Sequence, residues 1–102
     1  MAVLELTLVP TGTEGTSVSK YIAGAYEVVK DDPNIEVKLN PMGTVMQGDI
    51  DHLFNAVRKM QETVFNKGVN RVYSVIKIDD RRDEEHSLEG KIESVMNKVG
   101  KQ

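Results

Sequence analysis

Lys38-Leu39-Asn40-Pro41-Met42-Gly43-Thr44-Val45-Met46-Gln47-Gly48-Asp49 holds the end of one strand, a bend, a second strand and the start of a helix. Pro41 and Gly43 turn the chain. Gly48-Asp49 closes the second strand, and Asp49 suits a helix N-cap. Asn40, Thr44 and Gln47 bring three neutral hydrogen-bonding side chains close together in sequence. Neutral amides and hydroxyls suit the reading of a polar heterocycle and suit acid/base chemistry poorly. The plainer alternative is a bulged hairpin whose polar side chains face water.

Upstream of the bend, Ile35, Val37 and Leu39 alternate with Glu36, Lys38 and Asn40, the period of a strand. Before it, Val18, Ile22, Ala25 and Val29 form one helical stripe. Thr16 or Ser17 is placed to cap this helix. Gly24 weakens it by about 1 kcal/mol relative to Ala, which points to close packing on that side. Asp31-Asp32-Pro33-Asn34 stops it, because proline disfavours helix in the residue before it. Further back, Leu4, Leu6 and Leu8 alternate with Glu5 and Thr7 in a strand from Val3 to Val9, which Pro10 ends.

Downstream, Ile50, Leu53, Phe54, Val57, Met60 and Val64 predict an amphipathic helix from Ile50 to Asn66, with Lys67-Gly68 as its stop. Val69 to Ile78 reads as a longer strand, with Val72, Ser74, Ile76 and Ile78 on one side and Arg71, Tyr73, Val75 and Lys77 on the other. A charge run follows, and Leu88, Ile92, Val95 and Val99 predict a terminal helix. Strand, helix, strand, strand, helix, strand with short connections gives an α+β, ferredoxin-like βαββαβ sandwich with an additional C-terminal helix. One domain over residues 1–102 is expected. Both main helices should cover one sheet face. The other face, with Glu5, Thr7, Lys38, Tyr73, Val75 and Lys77, is expected to meet a second subunit and the terminal helix.

Composition narrows the function. The chain has 102 residues, 39% hydrophobic and 28% charged, with a net charge of −3. This balance is unlike a nucleic-acid-binding surface, which needs clustered positive charge. With no Cys, thiolate metal sites, cysteine nucleophiles and disulfides are excluded. The opening Met-Ala-Val-Leu-Glu-Leu lacks the basic region of a secretory signal, and no apolar run has the roughly 18 residues of a membrane span, so a cytoplasmic protein is expected.

Pro41 to Asp49, Arg71-Val72 and Ile78-Asp79-Asp80-Arg81-Arg82, with the Pro10 to Ser17 loop and Ser94-Val95, resemble the thiamine-binding protein family. The likeness runs in order along nearly the whole chain. It implies a ferredoxin-like fold, a cytoplasmic protein, binding of thiamine or its hydroxymethylpyrimidine precursor, and assembly as a dimer of dimers, a homotetramer. Gln47 departs from the Glu common in such proteins. It keeps an acceptor for an aminopyrimidine but loses the charge that would attract a thiazolium.

The candidate ligand-binding residues are Thr11, Ser17, Asn40, Thr44, Gln47 and Asp79. Asn40, Thr44 and Gln47 would read a pyrimidine edge if the bend brings them to one side. The Thr11 to Ser17 loop opens a helix, whose N-terminal N–H groups attract anions. Its glycines lack the Gly-Lys-Ser/Thr ending of a phosphate loop, and Ser17 has a competing duty as cap. Asp79 or Asp80 could balance a cationic ligand, although charge runs at strand ends are commonly solvated or paired. His52 and His86 have no companion ligands, so no metal is expected. Tyr21 and Tyr26 flank the first helix and are expected in packing.

Rival uses of this architecture fit less well. An acylphosphatase-like enzyme needs an arginine in the first loop, which has none. An RNA-binding sheet needs several exposed aromatics, and Tyr73 stands alone. No nucleophile, base and orienting partner can be named together, so catalysis and cofactors are not expected. Two readings remain: a binding module for a small molecule of the thiamine type, and an oligomeric regulatory or interaction domain that senses another small molecule.

Overall fold

The computed structural model describes residues 1–12, 18–83 and 88–99. Their elements run β1 (Ala2–Thr11), α1 (Ser19–Glu27), β2 (Ile35–Asn40), β3 (Gly43–Gly48), α2 (Ile50–Phe65), β4 (Arg71–Asp80) and α3 (Leu88–Val99). The four strands form one antiparallel sheet in the order β2-β3-β1-β4. Each strand–helix–strand unit is thus split by a strand of the other. This is the expected α+β, ferredoxin-like sandwich with a terminal helix. No described helix is long and apolar enough to cross a membrane.

Register explains the core. Leu4 lies opposite both Met46 and Ile78, and Leu6 opposite both Thr44 and Ile76. One sheet face therefore carries Leu4, Leu6, Leu8, Thr44 and Met46. Ala25 and Val29 from the α1 side and Leu53, Ala56, Val57, Met60 and Val64 from α2 close over it. Each fully buried Leu, Met or Val contributes about 1.5–3 kcal/mol relative to exposure. Alternation sends Glu5, Gln47, Tyr73, Val75, Lys77 and Asp79 to the opposite, outer face.

The structure corrects some local expectations and bears out others. β1 does not stop at Pro10 but continues to Thr11. Beyond Leu6 it has lost its β3 neighbour and pairs only with β4, so a residue without an N–H is tolerated there. The α1 N-cap falls on Val18, with no side-chain cap bond; Thr16 and Ser17 lie outside the described residues. Asp49 is the α2 N-cap, but its backbone carbonyl, not its carboxylate, accepts the helix N–H of Leu53. Phe54 is half-exposed, because Ala56 takes the inward position of the stripe that starts at Leu53. Tyr21 belongs to the core, as its packing role requires. A Cβ on Gly24 would lie 2.8 Å from Lys67 Cε, the far end of a flexible side chain, so the expected close packing on that side is present without requiring a glycine.

α3 departs most from a closed sandwich. It buries no residue. The radius of gyration is 15.2 Å, against about 13 Å for a compact chain of this length.

Candidate functional site

β1 has ten residues and β3 has six. Their pairing ends at Leu6 and Thr44, so the β3-side edge of β1 runs on past the hairpin without a strand beside it. This mismatch leaves a notch at one end of the sheet. The hairpin tip bounds one side and α1 roofs it. Backbone N–H and C=O groups of a strand point alternately to its two edges. Those on the open edge of β1 beyond Leu6 are therefore not taken up by any described strand.

A cavity of about 310 Å³ fills this notch. Leu6 and Leu8 form its floor, Val18, Ile22 and Ala25 its α1 wall, Met60 its α2 wall, and Leu39 to Thr44 its rim. The volume is at the lower end of the roughly 300–1,000 Å³ typical of small-molecule sites. The Thr7 hydroxyl donates to the Met42 carbonyl (3.0 Å) and pins the hairpin tip to β1. The Met42 side chain is 87% exposed beside the opening.

Among the described residues, Thr44 is the one buried polar side chain in this lining. It is 4% exposed and shares the core face with Leu6. Its hydroxyl has no hydrogen-bond partner among the described residues. Asn40 also lines the cavity, and it is partly exposed. Among the described residues, no Asp, Glu, Lys, Arg or His lines it.

The other candidate residues stand elsewhere. Gln47 is 7% exposed and lies on the outer face, opposite Val3. Its Oε1 accepts the backbone N–H of Leu88 (2.8 Å), the first residue of α3. Asp79 lies in the same cross-strand row and accepts a charge-assisted bond from Lys91 Nζ at 2.8 Å. The alternation of β3 thus sends Thr44 and Gln47 to opposite faces, and the bend brings only Asn40 and Thr44 together. Thr11 donates to the Arg71 carbonyl (3.2 Å) and ties the end of β1 to the start of β4. Ser17 lies outside the described residues.

In the charge run, Arg82 pairs with Asp80 and Arg81 with Asp83. The Asp80 carboxylate, by hydrogen bond and by charge, raises the Arg82 guanidinium above its ordinary value. His52 is exposed on α2, and His86 lies outside the described residues. Among the described residues, no three His, Asp or Glu side chains converge as a metal site would require. Sequence reasoning missed the apolar walls from Leu8, Ile22 and Met60. The signal that could have found them is the unequal length of β1 and β3.

Comparison with known proteins places these residues in context. A family model described as "Thiamine-binding protein" matches residues 4–96. A relative from Methanothermobacter thermautotrophicus, named only as a UPF0045 protein, is 43% identical over 100 residues, covering 97% of this chain and 100% of the relative. The UPF0045 protein YqgV of Bacillus subtilis is 41% identical over 98 residues, covering 93% of this chain and 94% of that protein. Among solved structures, the hypothetical protein MJ1052 from Methanocaldococcus jannaschii superimposes with a TM-score of 0.84 at 41% identity, covering 92% of this chain and 94% of that one. A candidate thiamine biosynthesis/salvage protein from Thermotoga maritima superimposes with a TM-score of 0.75 at 16% identity, over 92% of this chain and 97% of that one. That last likeness shows the shared fold.

Proposed function

Because the chain belongs to the thiamine-binding protein family, we propose that it is a non-catalytic binding protein for the aminopyrimidine of thiamine. The ligand is hydroxymethylpyrimidine or the intact vitamin, held in the notch beside β1. The observation that carries this reading is the Thr44 hydroxyl, buried in the wall of a largely apolar cavity with no partner among the described residues. A buried hydroxyl left unsatisfied costs about 1–3 kcal/mol, which a ligand atom bonded to it recovers.

The chemistry of the guest follows from the walls. An aminopyrimidine is flat, with two apolar faces and an edge of one amino donor beside ring-nitrogen acceptors. Leu6, Leu8, Ile22 and Met60 suit the faces. Thr44, Asn40 and the open edge of β1 suit the rim, since a strand edge offers donors and acceptors in alternation. Among the described residues, the cavity lining has no carboxylate to neutralise a thiazolium. Hydroxymethylpyrimidine is therefore the better ligand, and intact thiamine binds with its thiazolium directed out to solvent past Met42.

The reading includes a cytoplasmic, self-associating protein, with the homotetramer as its assembled form. A second reading, an oligomeric regulatory domain, is favoured by one observation: α3 holds its apolar residues away from its own core. Calorimetric titration with hydroxymethylpyrimidine, thiamine and thiamine phosphate separates the two. Binding of the pyrimidine at least as tight as that of thiamine supports the first. No heat and no thermal shift with any of the three removes it.

A further inference from the structure

Leu6 and Leu8 send their side chains to the core face of β1, and Thr7 and Val9 send theirs to the outer face. All four nevertheless line the cavity. A space that touches consecutive residues of opposite facing runs along the edge of the strand, where the main chain is. Register tells which main-chain groups point into it. In an antiparallel strand the N–H and C=O of one residue share an edge, and those of the next residue take the other. The Leu6 carbonyl oxygen lies 3.2 Å from the place a Cβ on Gly43 would occupy, so Leu6 faces β3. Leu8, two residues on, presents its N–H and C=O to the same edge, and Thr7 and Val9 turn theirs to β4. Continued register would set Met42 opposite Leu8, but the chain has already turned there toward β2. Leu8 is 5% exposed, and neither its N–H nor its C=O has a partner among the described residues.

We propose that the main-chain N–H and C=O of Leu8 act as one donor–acceptor pair that reads a flat heterocycle carrying an amino group beside a ring nitrogen, and that this pair sets the specificity of the notch. The Leu8 N–H donates to the ring nitrogen, and the amino group donates to the Leu8 carbonyl. The two groups of one extended residue lie side by side and point the same way, as the amino group and ring nitrogen of such a ring do. Pairing with β4 on the other edge fixes their direction, so no rotamer has to be ordered when the ring arrives. Thr44, on the same face and opposite Leu6, is left for a further polar atom of the ring. Pro10 decides between a ring and a peptide. It is the next residue on the open edge and has a carbonyl but no N–H. An added strand needs both groups at alternate residues, so Pro10 blocks it, whereas a single ring needs Leu8 alone. A ring without the amino group leaves the buried Leu8 carbonyl unpaired, which is how the pair discriminates.

The inference rests on the notch as the ligand site, but not on any one pyrimidine. Amide NMR and hydrogen exchange on the full chain test it with three probes of one ring size: 4-aminopyrimidine, pyrimidine and 4-methoxypyrimidine. In the free protein the Leu8 amide should exchange faster than those of Leu6 and Val9, which are bonded within the sheet. 4-Aminopyrimidine should shift the Leu8 resonance and slow its exchange. The other two should bind at least about tenfold more weakly, because pyrimidine leaves the carbonyl unpaired and the methoxy group turns an oxygen toward it. A Leu8 amide as protected as Leu6 in the free protein, or equal affinity for all three probes, would overturn the pair. Titration with hydroxymethylpyrimidine separates this inference from the function proposed above. Binding heat with unchanged Leu8 exchange keeps that function and removes the pair. No heat, together with a Leu8 response to 4-aminopyrimidine, does the reverse.

Discussion

Thr44→Val should act in opposite directions on stability and on binding. The substitution keeps the branched shape on β3 and removes only the hydroxyl. Thr44 is 4% exposed, and its hydroxyl has no partner among the described residues. A buried unsatisfied hydroxyl costs about 1–3 kcal/mol. It sits in a cavity wall that water can reach, so the lower end applies, and the gain from Val is about 1 kcal/mol. For a domain of this size that raises Tm by about 4–8 °C in the absence of ligand. In the complex the same change removes one neutral hydrogen bond of about 0.5–1.5 kcal/mol, weakening hydroxymethylpyrimidine roughly 2- to 12-fold. Urea titration and calorimetry on the same preparations read both effects. A variant less stable than wild type would mean that the hydroxyl is satisfied within the fold. Unchanged affinity would take Thr44 out of the site.

The glycines supply a matched pair of outcomes. Gly24→Ala meets the flexible end of Lys67 and, at 3.4 Å, Thr63 Cγ2 in ordinary contact, so the helix propensity gain of up to about 1 kcal/mol should leave the protein equally or more stable by chemical denaturation. Gly48→Ala places its Cβ 2.9 Å from Ile35 Cγ2 and 3.0 Å from the Asn34 carbonyl, so a loss of about 1–3 kcal/mol is expected in the same measurement. Gln47→Ala removes the acceptor for the Leu88 N–H and should speed amide exchange throughout α3 while leaving pyrimidine affinity unchanged. A loss of affinity there would bring the outer face into the ligand site. Leu4→Ala, at the centre of the core, should cost about 2–5 kcal/mol by urea denaturation.

The fold was legible because each element carries its own period. Leu4, Leu6 and Leu8 mark a half-buried strand, and Leu53, Val57, Met60 and Val64 mark a helix with one buried stripe. Neither pattern needs a distant residue to be read. The site was less legible for a corresponding reason. Asn40, Thr44 and Gln47 are close in sequence, but strand alternation and the Pro41–Gly43 bend decide which of them share a face. That alternation puts Gln47 behind the sheet, where its acceptor meets α3. The notch itself depends on how far β3 extends along β1; the two strand lengths can be read, but their register, which decides where the pairing ends, is not encoded in the hydrophobic period. Phe54 shows the same limit: its hydrophobicity fits the stripe, but an angular offset of one residue leaves it half-exposed.

β3 is the element through which the two faces of this molecule can influence each other. Only Val45 and Met46 separate Thr44, which lines the cavity on the helix side, from Gln47, which holds the start of α3 on the outer side. The Asn40 to Thr44 rim, where the proposed ligand would bear, belongs to a hairpin whose strand β3 is paired on both edges, with β1 and with β2. A strand so held transmits a small shift as a rigid segment and does not absorb it locally. The same geometry limits the size of the effect. Linkage requires ligand and assembly to favour each other by the same factor, and nothing makes that factor large unless the displaced strand alters the Gln47–Leu88 bond. The coupling should therefore be reciprocal, and it should vanish in Gln47→Ala even where binding and assembly each survive.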